Sequence, residues 1–199
     1  MFSGGKKNME IEKEIRFKIE SDSKIKEIEL ETEEIQEKNE TIDLVLGWKG
    51  FESLDKYGFI CRVRKKNDEI YLECKKKIKD NIWNESKIKL KEFREGVNFL
   101  SLIGMKPYLY INRKRQIRKF KDLKIYIDEV DMLGNFIEIE FQEASNEEKQ
   151  IQEFLSHFNI KNIEQKLYGD IFKEKIETDK NFKAEFEKKM KNFIDKDML

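Results

Sequence analysis

Acidic residues recur in the sequence at a spacing that suits metal binding. Glu12 and Glu14 are two residues apart, as are Glu138 and Glu140, and Asp128 precedes the second pair. Residues two apart on a β-strand share one face and are separated by about 6.6–6.8 Å. Neighbouring carboxylates on one face repel one another unless a cation or water lies between them. Because carboxylate oxygens are preferred ligands of hard divalent ions, we expect these five residues to bind Mg²⁺ or Mn²⁺.

A set of basic residues, several at the same spacing, carries the opposite charge. Guanidinium groups bind phosphate oxygens through paired hydrogen bonds, and a lysine ammonium acts as a point charge. A metal held by carboxylates and surrounded by bases is what a polyphosphate substrate needs, since both neutralise its charge. We therefore expect a nucleoside triphosphate or inorganic polyphosphate as ligand, and we assign catalytic roles to Glu14, Arg62 and Lys75. The expected phosphate-binding residues are Arg16, Arg62, Arg64, Lys75, Arg113 and Arg115.

Two simpler interpretations apply to any one of these motifs. A strand normally turns its charged face to water, and a basic β-face with aromatic residues such as Tyr71 is typical of single-stranded RNA binding. Here the carboxylates and the bases are sorted onto separate segments, which solvation does not require. The interleaved acids would also repel a nucleic-acid backbone, so we expect no nucleic-acid partner. A non-catalytic barrel that binds polyphosphate or RNA is the alternative function.

The composition excludes several classes of protein. Charged residues make up 41% of the chain, but 15 Phe argue against disorder. With two Cys and one His, the chain lacks the residues for a Cys-rich zinc site and for most His-based metal sites. Cys61 and Cys74 alternate away from the charged residues, so we interpret both as small core side chains. No apolar run approaches the roughly 20 residues of a membrane span, and no signal peptide is visible; we expect a cytoplasmic protein with no membrane partner.

The elements that position these residues are mainly β-strands. Alternation of apolar and polar residues predicts eight strands, mostly in antiparallel hairpins. Helical spacing predicts a short helix after Ser21, a second over Phe93–Ile103 and a third from Asn146. Because nearly every strand has one charged face, we predict an α+β fold in which an eight-stranded antiparallel β-barrel forms a charged tunnel, with flanking helices. The predicted strands cover residues 10–19, 42–48, 59–64, 70–75, 87–93, 108–117, 123–130 and 136–141.

The order of the motifs resembles the CYTH family, the triphosphate tunnel metalloenzymes. The resemblance runs from about Glu10 to Phe172. It implies a tunnel-shaped barrel, a divalent metal and an enzyme of one of two kinds, a class IV adenylyl cyclase or a triphosphate hydrolase. The family motif Glu-x-Glu-x-Lys corresponds to Glu12–Phe17, and Arg-x-Arg with a later Lys corresponds to Arg62–Arg64 with Lys75. The basic pair of the family corresponds to Arg113–Arg115. The stretch of Asp with Leu-Gly-x-Phe-x-Glu-x-Glu corresponds to Asp128–Glu140, and the closing Tyr segment to Leu167–Phe172.

The chain departs from the family pattern in places. Arg16 replaces the usual lysine, and a second register, which we rank lower, uses Glu10 and Glu12 instead. The Leu-Gly-x-Phe-x-Glu-x-Glu stretch favours the adenylyl cyclase-like branch. Arg118, where many cyclase-like members carry an aromatic residue, argues against that branch. The sequence therefore leaves cyclase and hydrolase open. Tyr168 could pack against the closing helix or point its hydroxyl into the tunnel, and we expect the packing role.

Three segments follow from this division. We expect residues 1–8 to form a flexible leader, residues 9–172 the triphosphate tunnel domain, and residues 173–199 a C-terminal helical extension. The extension has a stripe of Phe182, Phe186, Met190 and Phe193 at helical spacing. Because a lone helix of this length is marginal in water, we expect the stripe to pack on the barrel wall or to pair two subunits in a homodimer. We expect no catalytic residue from it.

Overall fold

The structure is a computed structural model, and it describes residues 12–53, 58–79, 82–142, 147–161, 163–164 and 166–197. Within these ranges the side chains of residues 12–14, 78–79, 82–83, 140–142, 147 and 197 are not described. The predicted leader lies outside the described residues. The strands are β1 Glu12–Ile19, β2 Glu33–Gly47, β3 Phe59–Lys66, β4 Glu69–Lys79, β5 Ile82–Leu90, β6 Lys106–Phe120, β7 Leu123–Val130, β8 Gly134–Gln142 and β9 Ile163–Glu164. The helices are α1 Asp22–Glu31, α2 Phe93–Leu102, α3 Glu147–His157, α4 Tyr168–Thr178 and α5 Lys180–Asp197.

All nine described strands form one antiparallel sheet in the order β5-β4-β3-β2-β6-β7-β8-β1-β9. The predicted α+β antiparallel fold is confirmed. The strand count differs from the predicted eight because two residues, Ile163 and Glu164, add a short strand beside β1. Over the described ranges the sheet order does not close, since β5 and β9 lie at its two ends.

Strand register places opposite charges side by side. Residues directly opposite one another on antiparallel strands have Cβ atoms about 4.5–5.5 Å apart, so their side chains interact. The same register sets Glu14 of β1 opposite Glu140 of β8. The sheet therefore builds a charged face from pairs of neighbouring strands. The opposite-charge pairs are Arg16 with Glu138, Asp43 with Arg64, Arg62 with Glu73, and Arg115 with Asp128.

Strand β2 is longer than its hydrophobic pattern predicts. The apolar run predicts a strand from residue 42, yet β2 begins at Glu33. Its first half is mostly exposed and pairs with β6 through two register shifts, between Glu34 and Gln36 and between Gln36 and Asn39. This segment is a strand because its backbone pairs with β6, which is itself 15 residues long. It therefore does not need alternating apolar residues.

The predicted C-terminal helix is two helices. Helix α4 continues past residue 173 to Thr178, and α5 begins at Lys180. The break falls at Asp179, whose Oδ1 accepts hydrogen bonds from the backbone N–H of Asn181 (2.9 Å) and of Phe182 (3.1 Å). An aspartate that accepts from the first free N–H groups of a helix is a typical N-cap, which is why a new helix starts here.

Helices cover both faces of the sheet. On the uncharged face, α2 packs close enough to β3 that a Cβ on Gly96 would lie 2.8 Å from the Val63 side chain. On the charged face, Phe172 of α4 packs with Val45, Val130 and Phe136, which share strand faces with the charged residues. Helix α4 therefore closes one end of the charged face. Among the described helices, none combines the length and the apolar composition that a membrane crossing requires.

Candidate active site

Two buried carboxylates, Asp128 on β7 and Glu138 on β8, organise one half of the charged face. Arg115 donates two hydrogen bonds to Asp128, from Nε to Oδ1 and from Nη2 to Oδ2, each at a distance of 2.7 Å. The same Nη2 reaches Glu138 Oε1 at 2.5 Å, and Arg113 Nη1 reaches Asp128 Oδ2 at 3.3 Å. Asp128 is 0% exposed, so its charge depends on these arginines rather than on water.

Arg16 joins this half of the site to helix α4. Its Nη2 donates to Glu138 Oε2 over 2.9 Å, and its Nη1 donates to the backbone carbonyl of Lys166 over 2.8 Å. The guanidinium also lies 4.2 Å from the centre of the Tyr168 ring. Tyr168 packs against Phe136, as expected, but its hydroxyl also donates to Asp128 Oδ2 over 2.9 Å. The packing role predicted for Tyr168 is therefore incomplete.

Asp43 and Glu73 organise the other half. Arg64 donates two hydrogen bonds to Asp43, from Nε at 2.6 Å and from Nη2 at 2.8 Å. Arg62 donates from Nε to Glu73 Oε2 over 2.8 Å and reaches Asp43 Oδ2 at 3.4 Å. Lys87 Nζ lies 3.2 Å from Glu73 Oε1. Both carboxylates are buried, and each is shared by two or more cationic side chains.

Asp43, Glu73 and Glu138 are ionised at neutral pH, because nearby cations lower the pKa of each carboxyl group. Burial by itself would raise the pKa of Asp43, but Arg62 and Arg64 outweigh it and hold that pKa well below its ordinary range. Burial opposes Arg115 and Arg16 at Glu138 too, and the arginines lower its pKa to about 2. The pKa of the Tyr168 hydroxyl is raised well above its ordinary value by burial and by Asp128. Tyr168 therefore stays protonated and acts as a hydrogen-bond donor.

The acidic positions of β1 and β8 continue this face. Glu12 and Glu14 follow the same side of β1 as Arg16, and Glu140 follows the side of Glu138 on β8. Where side chains are described, no three His, Cys, Asp or Glu groups form a cluster that could hold a metal ion. The side chains of Glu12, Glu14 and Glu140 lie outside that description. By strand position these three glutamates belong to one face of two paired strands, and glutamate is a residue type whose oxygens suit Mg²⁺ or Mn²⁺.

A family comparison bears on this arrangement. Residues 51–168, more than half of the chain, match the model of the CYTH domain. The chain belongs to the CYTH family. This confirms the predicted resemblance to that family. No curated protein sequence matches the chain.

Solved structures share the CYTH fold at low sequence identity. A conserved hypothetical protein from Pyrococcus furiosus is 23% identical with a TM-score of 0.63, over 80% of this chain and 98% of that one. A "putative adenylate cyclase" from Vibrio parahaemolyticus is 14% identical with a TM-score of 0.64, over 82% and 98% of the two chains. An adenylyl cyclase homologue from Hippeastrum, described as having a dominant triphosphatase activity, is 14% identical with a TM-score of 0.61, over 83% and 96%. At these identities the likeness concerns the fold.

The predicted basic residues of the CYTH motifs do not all meet. The five arginines of the predicted set contact the buried carboxylates described above. Lys75 lies two residues beyond Glu73 on β4, and its Nζ is 2.6 Å from Glu85 Oε2 on the neighbouring strand β5. Lys75 and its partner are both partly exposed, so this pair stands at the open side of the site.

Arg118 has a structural role that removes one argument about the CYTH branch. Its Nη2 donates hydrogen bonds to the backbone carbonyls of Glu29 and Thr32, each at a distance of 2.5 Å. Its Nε donates to Thr32 Oγ1. These groups belong to the last turn of α1 and the residue that ends it. Arg118 thus lies on the opposite side of β6 from Arg113 and Arg115, and its identity does not discriminate cyclase from hydrolase.

Sequence reasoning missed two acids of this site. Asp43 is an acid within the apolar run of β2, and Glu73 is an acid between Tyr71 and Lys75 on β4. An isolated acid inside a strand is the available signal for such a buried partner, because it needs a cation nearby. Which cation it meets depends on strand register, which no local pattern reveals. The contact of the Tyr168 hydroxyl with Asp128 arises from tertiary packing, and the sequence analysis ranked it below a packing role.

Proposed function

We propose that this protein is a divalent-metal-dependent enzyme that acts on a nucleoside or inorganic triphosphate at the charged face of its sheet. One observation carries the proposal: five arginines from three strands converge on buried carboxylates on one face. Guanidinium groups held in this way are already oriented, so a phosphate group meets them without a large entropic cost. Membership of the CYTH family supports the same substrate class.

Charge balance supports the metal requirement. The five arginines and Lys87 contribute six positive charges, and Asp43, Glu73, Asp128 and Glu138 contribute four negative charges, which leaves two positive charges in excess. A triphosphate carries several negative charges, so this group alone does not neutralise it. The additional positive charge that the substrate needs is what a bound divalent ion supplies.

The acidic positions of β1 and β8 would hold that ion. We propose Glu12, Glu14 and Glu140 as its main ligands, because no basic residue stands opposite Glu14 or Glu140 in the strand register. Glu138 and Asp128 complete the proposed set of five, although both already accept hydrogen bonds from arginines. Such an ion would supply positive charge to the phosphate oxygens and would lower the pKa of the attacking water or hydroxyl group.

The remaining residues bind and orient the substrate. Arg62, Arg64, Arg113 and Arg115 would exchange part of their carboxylate contacts for phosphate oxygens, while Asp43 and Asp128 keep the guanidinium planes in place. Arg16 would contribute from β1. Lys75, on the open side, would add a point charge to the outer phosphate, and Arg62 would stabilise the charge that develops during transfer. Helix α4 excludes water from one end of the face through Phe172 and Tyr168.

A product assay tests the function directly. The full-length protein is incubated separately with ATP, tripolyphosphate and thiamine triphosphate, each with Mg²⁺, with Mn²⁺ and with a chelator. Orthophosphate identifies a hydrolase, and cyclic AMP with pyrophosphate identifies a class IV adenylyl cyclase. Binding of tripolyphosphate or RNA without any product under all metal conditions would replace the enzyme with the non-catalytic alternative.

A further inference from the structure

The two cysteines of the chain face each other across a strand pair. Cys61 on β3 stands directly opposite Cys74 on β4, and their Sγ atoms are 2.8 Å apart. Both belong to the uncharged side of the sheet, where Cys61 packs in the same core cluster as Val63 and Leu72. They are small core residues, as the alternation of the sequence predicts. Their mutual distance is an additional feature, which the proposed function does not use.

This placement satisfies the geometric requirements of a disulfide bond. Directly opposite residues of an antiparallel pair have Cα atoms about 4.5–5.5 Å apart, within the roughly 4.4–6.8 Å that disulfides span. The sulfur atoms need to approach by less than 1 Å to reach the bond length of about 2.05 Å. Side-chain rotation therefore suffices, and the backbone of β3 and β4 can keep its hydrogen bonds.

We propose that Cys61 and Cys74 form a reversible intramolecular disulfide in the presence of a low-molecular-weight disulfide. Cys74 is the more exposed of the two, so it is the residue that an external reagent reaches. Its thiolate attacks one sulfur of the reagent, which forms a mixed disulfide and releases one reagent thiolate. Cys61 then loses its proton and attacks the Cys74 sulfur, which expels the second reagent thiolate. The two cysteines together lose two electrons and two protons, and the reagent gains them as two thiols.

The bond would join the two strands directly behind a pair of site residues. Arg62 follows Cys61, Glu73 precedes Cys74, and these two charged residues are themselves opposite one another. A covalent link between β3 and β4 restricts the unfolded chain and holds this strand pair together. Excess reducing thiol reverses it. The modification would therefore adjust the stability of the strand pair that carries Arg62 and Arg64 according to the thiol–disulfide balance around the protein.

The test uses the full-length folded protein and oxidised glutathione as the probe. We expect intact mass to fall by two hydrogen atoms, and trypsin to release a linked pair of peptides, Tyr57–Arg62 and Asn67–Lys75, which hold one cysteine each. Closing a loop of this length predicts a rise in Tm of roughly 5–10 °C on oxidation. Dithiothreitol should restore both the mass and the original Tm.

Two variants serve as controls. Cys74→Ser and, separately, Cys61→Ala should show no linked peptides and no oxidation-dependent change in Tm, whatever their starting stability. Several outcomes would overturn the proposal: two free thiols after prolonged treatment, two glutathione adducts without a cross-link, or disulfide-linked dimers. A cross-link that left Tm unchanged would overturn its stabilising role.

Discussion

The hydroxyl of Tyr168 donates a hydrogen bond to Asp128 Oδ2 over 2.9 Å, which links the first turn of α4 to a carboxylate held by two arginines. The Tyr168 ring lies beneath the Arg16 guanidinium and against Phe136. One side chain thus contacts an acid, a base and the apolar packing that closes the charged face. Burial and Asp128 raise the pKa of its hydroxyl well above its ordinary value, so the hydroxyl is protonated at neutral pH.

Replacement of Tyr168 by Phe should destabilise the protein. The variant keeps the ring packing and removes one hydrogen bond to a charged group, so we expect a loss of about 1.5 kcal/mol in the free energy of unfolding. Urea denaturation measures it. Tyr71→Phe is the matched control, since the Tyr71 hydroxyl donates to an exposed carboxylate, Glu69, and its loss should change stability by less than about 0.5 kcal/mol. Equal effects of the two substitutions would contradict a special role for the Tyr168 hydroxyl.

Asp43→Asn tests the electrostatics of the second half of the site. The substitution leaves Arg64 without its bidentate partner, so we expect a loss of about 3 kcal/mol in stability at pH 7. Because the arginines lower the pKa of Asp43 in the folded protein, its stabilising contribution is complete above its unfolded pKa of 3.8 and declines as the pH falls below that value.

The difference between wild type and Asp43→Asn should therefore shrink on acidification. Denaturation curves recorded between neutral pH and pH of about 3 follow this difference. Asp122→Asn is the control. Asp122 is largely exposed, and its ion pair with Lys119 Nζ is long at 3.8 Å, so the substitution should have a small effect on stability at every pH. A constant difference between wild type and Asp43→Asn across the pH range would show that folding does not lower the pKa of Asp43.

Glu14→Gln should abolish metal-dependent activity. Glu14 stands opposite Glu140, and removal of one negative charge from this pair weakens the proposed metal site while it relieves repulsion in the metal-free protein. We therefore expect loss of turnover at physiological Mg²⁺ with unchanged or slightly increased Tm. Glu37→Gln, an exposed acid on β2, is the control and should keep full activity. Full activity of Glu14→Gln at the same Mg²⁺ concentration would refute its role as a ligand.

Arg113→Ala should weaken binding of a triphosphate. Loss of a charged hydrogen-bond donor costs about 1.5–3 kcal/mol, or roughly 10- to 150-fold in Kd. Titration calorimetry with tripolyphosphate measures the change. Lys114→Ala is a close control, because Lys114 is the next residue of β6 and stands opposite Glu129 on the other face. If Lys114→Ala weakened binding as much, net charge rather than the charged face would govern affinity.

Phe193→Ala tests how α5 contributes to the fold. The Phe193 ring packs 5.3 Å from the ring of Phe93 and 4.9 Å from that of Tyr110, so we expect its removal to cost about 3 kcal/mol in stability. The metal requirement should not change, because the proposed ligands lie on other elements. Phe99→Ala, at a ring that is 56% exposed, should have a much smaller effect.

Light scattering on the same samples addresses the predicted homodimer. The apolar stripe of α5 already packs within its own chain through Phe186 and Phe193. We therefore expect Phe193→Ala to leave the molar mass unchanged at concentrations where it remains folded. A fall from dimer to monomer would show that α5 pairs two subunits, and a changed metal requirement would place α5 in the site.

Much of this protein follows from local sequence patterns. Alternation between apolar and charged residues predicts most of the strands, because side chains on a strand point to opposite faces in turn. The same rule assigns Arg62, Arg64, Arg113 and Arg115 to one face and the two cysteines to the other. The turn at Asn67, which adopts a positive φ of 52°, and the end of α2 near Gly104 also follow from local preferences. These features depend on a few neighbouring residues, so the sequence alone determines them.

The partners of those residues depend on tertiary structure. Asp43 meets Arg64 and Asp128 meets Arg115 because of register between strands that lie far apart in the chain. The hydroxyl of Tyr168 joins them only because α4 folds back over the charged face. The first half of β2 is a strand because β6 pairs with it, not because of its own composition. Residue type and local period thus determine which side chains share a face, whereas their distances and ionisation arise from long-range pairing and burial that no local pattern contains.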